Sequence, residues 1–175
     1  DAGQIFVNGE EVVIRSPKDA FKYNIGMIHQ HFKLVDVFTA TENIVLGMHD
    51  EEKFNLAEAE KKVRQITERY GFAVDLKKKI YEMSVSEKQT VEIIKVLYRG
   101  ANILILDEPF NALDYKTYED VKAIIRMLKA EGKTIFLTSH HYKDIEQLCD
   151  QVYSLEDCQL LPITEEIAAR YREMD

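Results

Sequence analysis

One short apolar run constrains the fold of this chain more than any other feature of its sequence. The run Ile103 to Leu106 stops at two adjacent carboxylates, Asp107 and Glu108, and Pro109 follows them. Continuous apolar runs of this length are typical of parallel strands that are covered on both faces. Ligands of open α/β sheets bind just beyond the carboxyl ends of such strands. The sequence therefore predicts that both carboxylates stand at a binding edge.

A carboxylate after an apolar strand has two interpretations, because it can cap the next helix or take part in chemistry. Two other apolar segments also end in polar groups. Thr134–Ser139 runs into His140, and Ile25–Ile28 runs into His29 and Gln30. Three polar strand ends favour the chemical interpretation. One carboxylate would hold Mg²⁺ through oxygen and the other would polarise a water, which is the outline of nucleotide hydrolysis.

Five short motifs occur in an order that resembles the ATP-binding cassette ATPases. They are Gln30, the segment 84–89, the run ending at Pro109, the segment 111–114, and the segment 138–140. In that family these are the Q-loop, the signature, Walker B with its catalytic Glu, the D-loop and the H-loop. The resemblance implies an α/β fold of the P-loop nucleotide-hydrolase, or RecA-like, type. Such a fold has a parallel sheet, a β-hairpin arm and an inserted helical subdomain.

The resemblance also implies a role for each motif residue, with ATP and Mg²⁺ as cofactors. Asp107 and Gln30 would hold Mg²⁺, and Glu108 would polarise the attacking water. His140 would contact the γ-phosphate, and Gln30 would link metal and water to a partner subunit. Asp114 would cross the interface with a second ATPase domain, because two such domains close head to tail on two nucleotides.

The signature residues, which would reach the opposite nucleotide, depart from the usual pattern. They are Ser84, Val85, Ser86 and Glu87. Val85 and Ser86 replace glycines of the family. The motif works by setting a hydroxyl and backbone N–H groups at a helix N-terminus, where the helix dipole favours phosphate. Ser84 keeps the hydroxyl and Ser86 adds a donor, so we expect the phosphate contact in trans to survive.

The first motif of the family, G-x-x-x-x-G-K-[ST], does not occur in the 175 residues. That loop surrounds phosphates with backbone N–H groups and a lysine. Gly132-Lys133-Thr134 has Met127 where the first glycine should stand, and it precedes a strand, so it is expected to end a helix.

The chain opens with a hairpin pattern in which Asn8-Gly9 separates Gln4–Val7 from the segment 10–14. Asn-Gly supplies the two positive φ angles of a type I′ turn. In the family this ribbon follows the phosphate loop. We therefore expect a cassette domain that is incomplete at its N-terminus.

The region between Gln30 and the signature has the pattern of helices. Thr39 to Glu42 is a capping box, Asn55 opens a second helix that Gly71 closes, and Ser84–Arg99 gives a third. Residues 38–100 are expected to form the helical signature subdomain. Residues 1–37 and 101–175 would form the incomplete RecA-like core.

Four large apolar residues follow the Q-loop in a segment without a clear period: Phe32, Leu34, Val37 and Phe38. They could pack beneath the helices, or they could line a groove for a partner. In the family this region receives a helix of the transmembrane permease subunit, so an exposed patch here would be a docking surface.

The composition restricts the other partners. The formal net charge of −8 argues against nucleic acid as a partner. No apolar run approaches the roughly 20 residues that a spanning helix needs. Together with the resemblance, these observations predict a cytoplasmic protein that is peripheral on the inner face of the cell membrane.

Two functional hypotheses stay open. The first is an ATP-binding and ATP-hydrolysing subunit, or a fragment of one, that couples hydrolysis to transport. Its front part is similar to simple-sugar and nucleoside importers, and its back part, from Phe110 on, is similar to drug and bacteriocin exporters. The second is a non-catalytic remnant or engineered fragment that self-associates, because the apolar strands Ile103–Leu106 and Ile135–Leu137 would be left uncovered.

Overall fold

The computed structural model describes residues 3–47, 55–156 and 158–174. Its strands are β1 (Ile5–Val7), β2 (Glu10–Val12), β3 (Ile25–Ile28), β4 (Ile103–Asp107), β5 (Thr134–Thr138), β6 (Tyr153–Glu156) and β7 (Gln159–Pro162). Its helices are α1 (Pro17–Lys22), α2 (Ala40–Val45), α3 (Leu56–Tyr70), α4 (Val85–Tyr98), α5 (Tyr115–Ala130), α6 (Tyr142–Leu148) and α7 (Glu165–Met174), with a 3₁₀ turn at Ile80–Glu82.

The three strands that the apolar runs predict form one parallel sheet. Their order is β3-β4-β5, and the connections between them carry helices, as parallel pairing requires. Ile28 lies opposite Leu106, and Asp107 lies opposite Thr138. The carboxyl ends of the strands therefore meet at one edge of the sheet. This arrangement confirms the predicted α/β fold class.

The two faces of this sheet have different surroundings. Leu104 and Leu106 point to one face and are buried beneath the helices α4 and α5. The other face carries Met27, Ile105 and Phe136 at one level across the three strands. Phe136 is 59% exposed and Met27 is 39% exposed. The described residues thus cover the strands on one face only, whereas the continuous apolar runs predict cover on both.

Helix α4 packs against two separate groups of buried residues. Its residues Ile93 and Val96 join the cluster that covers the sheet. Its residues Val91 and Ile94 join a second cluster formed with α2 and α3. The third helix that the sequence predicts is therefore present, and buried residues lie on two sides of it.

Capping residues begin and end the helices where the sequence predicts them. The hydroxyl of Thr39 accepts from the N–H of Glu42, whose carboxylate accepts from the N–H of Thr39. Asn55 caps α3 through the N–H of Ala57 instead of forming a reciprocal box. Gly71 ends the same helix in the left-handed region, with φ of 72°.

The N-terminal hairpin is also confirmed, with strands shorter than predicted. β1 and β2 pair in antiparallel register. Asn8 and Gly9 both have positive φ angles, 53° and 84°, which is the requirement of a type I′ turn.

In the part of the chain that the structure describes, no helix has the length and apolar composition needed to cross a bilayer.

Gly26 of β3 gives a test of the packing between α4 and the sheet. A Cβ atom at residue 26 would overlap Cγ1 of Val96 and would lie 3.1 Å from the Cβ of Ala101. Valine is stiff about χ1 in a helix, so its side chain cannot turn away. We expect Gly26→Ala to lower the free energy of unfolding by about 1–3 kcal/mol, measured by urea denaturation.

The matched control is Gly3→Ala, where the added methyl group meets no atom within 4 Å. Combining Gly26→Ala with Val96→Ala removes the overlapping methyl groups. The loss in this double variant should be smaller than the sum of the two single losses. An unfolding midpoint that stays unchanged in Gly26→Ala would contradict the packing.

Candidate functional site

Asp107 is the last residue of β4, and its carboxylate is held in place by the neighbouring strand. The hydroxyl of Thr138 donates to Oδ1 of Asp107 over 2.9 Å. Side chains alternate along a strand, so Asp107 shares the open face of the sheet with Ile105. The carboxylate therefore stands at the edge and on the face of the sheet where a ligand has access.

Glu108 follows in a conformation that residues other than glycine seldom adopt. Its φ angle is +48°. Its N–H lies 3.2 Å from both the carbonyl oxygen and the hydroxyl oxygen of Thr138, which hold the backbone in this turn. Such a conformation costs on the order of 1–2 kcal/mol, and it persists only where the surroundings enforce it. Strain of this kind is concentrated at functional sites.

The structure brings Glu108 and His140 together, and both are predicted catalytic residues. Oε1 of Glu108 lies 3.3 Å from Nε2 of His140. The side chain of Glu108 is 13% exposed, whereas that of His140 is 90% exposed. The contact therefore joins a largely buried carboxylate to an imidazole that extends into solvent.

Gln30 lies two residues beyond the end of β3, past the same sheet edge as Asp107. Within the described residues, its side-chain amide makes no hydrogen bond. The structure thus places Gln30 near the predicted site and leaves the amide unengaged by the rest of the described chain.

The signature residues form the N-terminus of α4. Ser84 is the N-cap, and its hydroxyl accepts from the N–H of Glu87 over 3.2 Å. The carboxylate of Glu87 accepts from the N–H of Ser84 and from Nζ of Lys78, at 2.8–2.9 Å. These contacts, that of Lys78 first, hold the pKa of Glu87 below its usual range. Val85 is the exposed first residue of the helix.

Ser86 and Asp114 contact each other within one chain. The hydroxyl of Ser86 donates to Oδ2 of Asp114 over 2.6 Å. Asp114 also caps α5 by accepting from the N–H of Thr117 over 3.0 Å and from its hydroxyl over 2.9 Å. These donors, Ser86 first, lower the pKa of Asp114 to about 2. The expected roles place both residues at contacts between two domains, whereas here they bind each other.

Two of the predicted site residues carry oxygen donors suited to Mg²⁺. Asp107 and Gln30 offer a carboxylate and an amide oxygen, which are hard ligands of the kind that this ion takes. Among the described residues, no group of three or more His, Cys, Asp or Glu side chains is placed to hold a metal. Mg²⁺ commonly takes one or two carboxylates together with waters and phosphate oxygens. The residues fit an ion shared with phosphate and do not fit a closed protein site.

Thr138 is a site residue that sequence reasoning does not single out. Its hydroxyl contacts the carboxylate of Asp107, the last residue of β4, and the backbone N–H of Glu108, which follows that strand. The signal that identifies it is the strand register, in which Thr138 is the partner of Asp107. The spacing along the chain does not contain that information.

Comparison with solved structures defines the class of fold. A nucleotide-free ATP-binding cassette from an ABC transporter superposes with a TM-score of 0.78 at 20% identity. The match covers 97% of this chain and 73% of that one. The sheet and helices described above therefore have the same fold as that protein.

Sequence comparison gives the family. The profile of the family described as ABC transporter matches residues 1–111, and the chain belongs to that family. Nucleoside import ATP-binding protein NupA of Lactococcus lactis subsp. cremoris is 43% identical over 152 residues, which cover 86% of this chain and 30% of that protein. Guanosine import ATP-binding protein NupO of Bacillus subtilis is 42% identical over 154 residues, which cover 87% of this chain and 30% of that protein.

The chain thus spans about a third of the length of the curated relatives it matches. A match over 86% of 175 residues is longer than the segment that precedes Phe110. The similarity to importers therefore extends into the back part of the chain, which the sequence patterns relate to exporters.

The contact between Ser86 and Asp114 leads to a pH prediction. The pKa of Asp114 is lowered from 3.8 to about 2 in the folded chain. The ionised carboxylate therefore stabilises the fold above about pH 4, and this contribution is lost as the pH falls through about 2. Ser86→Ala removes the hydroxyl that lowers this pKa most, so the pKa of Asp114 should rise toward 3.8. An NMR titration of the Asp114 carboxyl carbon measures it.

Ser16→Ala is the matched control, because the hydroxyl of Ser16 donates to a carboxylate in the first turn of a different helix, that of Asp19 in α1, over 2.8 Å. This variant should leave the titration of Asp114 unchanged. If Ser86→Ala also leaves it unchanged, the contact between Ser86 and Asp114 does not form in solution.

Proposed function

We propose that this chain is the nucleotide-handling part of the ATP-binding subunit of an ABC importer for nucleosides or simple sugars. The observation that carries the proposal is the approach of Glu108 to His140 beside Asp107, at the carboxyl edge of a parallel sheet. The choice of import, and of these solutes, rests on the names of the relatives. In this proposal the subunit lies on the inner face of the cell membrane.

The proposed chemistry divides the work between the two adjacent carboxylates. Asp107 and Gln30 would hold Mg²⁺, which when bound neutralises charge on the phosphate oxygens. Glu108 would accept a proton from the attacking water. His140 would orient the Glu108 carboxylate through the 3.3 Å contact and present its ring to the γ-phosphate.

We further propose that residues 38–100 act as the helical signature subdomain, and that residues 1–37 and 101–175 act as the ATPase core. Ser84, Val85, Ser86 and Glu87 would face the nucleotide of a second ATPase domain, and Asp114 would lie at the same interface. Lys78 supports this role, because its ammonium group offsets the negative charge of Glu87 beside a phosphate.

The permease would dock on the segment that follows Gln30. Leu34 packs against the helical cluster, whereas Val37 is 63% exposed and Phe38 is 36% exposed. Packing thus accounts for Leu34, and Phe32 is half-buried. Val37 and Phe38 remain as the proposed contact surface for a helix of the permease subunit.

Glu108→Gln tests the proposed reaction. The 175 residues contain no G-x-x-x-x-G-K-[ST], so the chain by itself should bind Mg-ATP weakly and hydrolyse it negligibly. We therefore propose a chimera in which the residues of NupA that precede its aligned region are joined to Asp1. In that chimera Glu108→Gln should lower kcat by about 10²–10⁴-fold with little change in ATP affinity, because the amide keeps the shape and loses the base.

Glu68→Gln is the control, because it makes the same chemical change at an exposed position of α3. It should leave both kcat and ATP affinity unchanged. A variant of Glu108 that loses ATP affinity and keeps its rate at saturation would show that Glu108 is a binding group. A chimera that binds ATP without hydrolysing it would argue against the catalytic function.

The exposed sheet face favours a second candidate function, a non-catalytic module that pairs with a second copy of this chain. Met27, Ile105 and Phe136 form an apolar row on that face. Within the described residues, β3 and β5 are the outer strands of their sheet, and exposed strand edges recruit further strands.

Light scattering of the wild-type chain and of Phe136→Lys tests this second candidate. We expect the wild type to form dimers or larger species at high concentration, and we expect the charged variant to weaken that association at least tenfold, because about 1.4 kcal/mol of lost apolar burial is enough. Leu155→Lys, at an exposed position in the separate β6-β7 hairpin, is the control. A monomeric wild type at high concentration would exclude the candidate.

A further inference from the structure

The loop that follows Gln30 is held by two charged side chains of α4. Oε1 of Glu92 accepts from the backbone N–H of Lys33 over 2.7 Å. Nζ of Lys95 donates to the backbone carbonyl of the same residue over 2.9 Å. Both backbone polar groups of Lys33 are thus bound, as they would be by a neighbouring strand, although the described residues form no strand beside Lys33.

The two charged side chains also bind each other away from solvent. Nζ of Lys95 lies 3.3 Å from Oε2 of Glu92. The side chain of Glu92 is 3% exposed, and that of Lys95 is 16% exposed. Charged groups are seldom buried to this degree, because the free energy lost on desolvation is about as large as the free energy gained from the ion pair. An apolar pair of similar size would serve stability equally well, so stability alone does not account for these residues.

A second anchor lies two residues further along the loop. The side chain of Asn43, which is buried in α2, accepts from the N–H of Val35 over 2.7 Å. It also donates to the carbonyls of Val35 and Thr39, over 3.1 Å and 3.0 Å. The loop is therefore attached to the helices from Lys33 onward, whereas the preceding strand β3 ends at Ile28 within the sheet. Residues 29–32 join the two attachments, and Gln30 lies among them.

We propose that Glu92 and Lys95 are positioning residues that clamp Lys33 to α4. The clamp sets the distance between the signature helix and Gln30, because only residues 31 and 32 separate Gln30 from the clamped residue. A displacement of α4 is then transmitted to Gln30 through the backbone. The importance of Gln30 rests on the proposed function, whereas the clamp itself does not.

The test replaces both charged residues by methionine, which is apolar and of similar length. Exchanging a buried ion pair for apolar residues leaves stability roughly unchanged or raises it. In the double variant Glu92→Met with Lys95→Met, we expect the amide hydrogen of Lys33 to exchange about 10–100-fold faster than in the wild type. The amide of Val35, which Asn43 holds, should keep its exchange rate, and so should the unfolding midpoint in urea.

Two further measurements separate positioning from general support. The ¹⁵N relaxation of Gln30 should show increased mobility in the double variant, and Glu68→Gln should change neither exchange nor relaxation. In the hydrolysing chimera, the double variant should lower kcat by about 10²-fold without changing KM. The reason is that displacement of Gln30 slows the reaction before it weakens substrate binding. If that chimera hydrolyses nothing, the proposed function fails, while the exchange data still decide on the clamp.

Several results would overturn the proposal. A Lys33 amide that exchanges at the wild-type rate in the folded double variant would show that no clamp exists. Equal acceleration at Lys33 and Val35 would show that the pair merely supports the whole region. Should the double variant fail to fold, the wild type decides, because Lys33 must be protected relative to Phe32, whose N–H binds no described group. Equal exchange at these two residues also overturns the clamp.

Discussion

The shared packing of helix α4 is the constraint on which the rest of this structure depends. Val96 and its neighbours cover the parallel sheet, and Ile94 and its neighbours fill the cluster formed with α2 and α3. The N-terminus of the same helix carries the signature residues, and its middle carries the side chains that bind Lys33. Helix α4 therefore contacts the sheet, the loop beyond Gln30 and the helical cluster, and it fixes their positions relative to one another. The close contact of Gly26 with Val96 fixes the distance between that element and the strands.

Much of the fold could be predicted because the decisive signals are local. Asn8-Gly9 requires two positive φ angles, and the structure has them. Thr39 and Ser84 each stand three residues before a glutamate, and both form capping boxes. The apolar run that ends at Asp107 could be assigned to a parallel strand because its length and its end are typical of one. The order of the motifs was enough to indicate the family.

Contacts between polar residues far apart in the chain could not be predicted. Glu92 and Lys95 have the spacing of exposed charges on an amphipathic helix. Both are largely buried, because α4 has apolar neighbours on two sides and leaves them little exposed surface. The pairing of Ser86 with Asp114 depends on how two helix N-termini approach each other, which spacing does not determine. The roles of the motif residues stay predictions, whereas the approach of Glu108 to His140 is a property of the fold.

At Glu108 the backbone conformation favours glycine, whereas the proposed chemical role requires a carboxylate. A glycine would occupy φ of +48° without steric cost, and it would therefore fit that turn better than any residue with a carboxylate. Selection for thermal stability alone would favour loss of the glutamate, whereas selection for a proton acceptor would retain it. A stability-guided change of Glu108 to glycine would thus relieve the backbone strain and would remove the proposed proton acceptor. Variants could be selected separately for thermal stability and for activity. The frequency of glycine at residue 108 in each set would then show whether stability or the carboxylate determines the residue at this position.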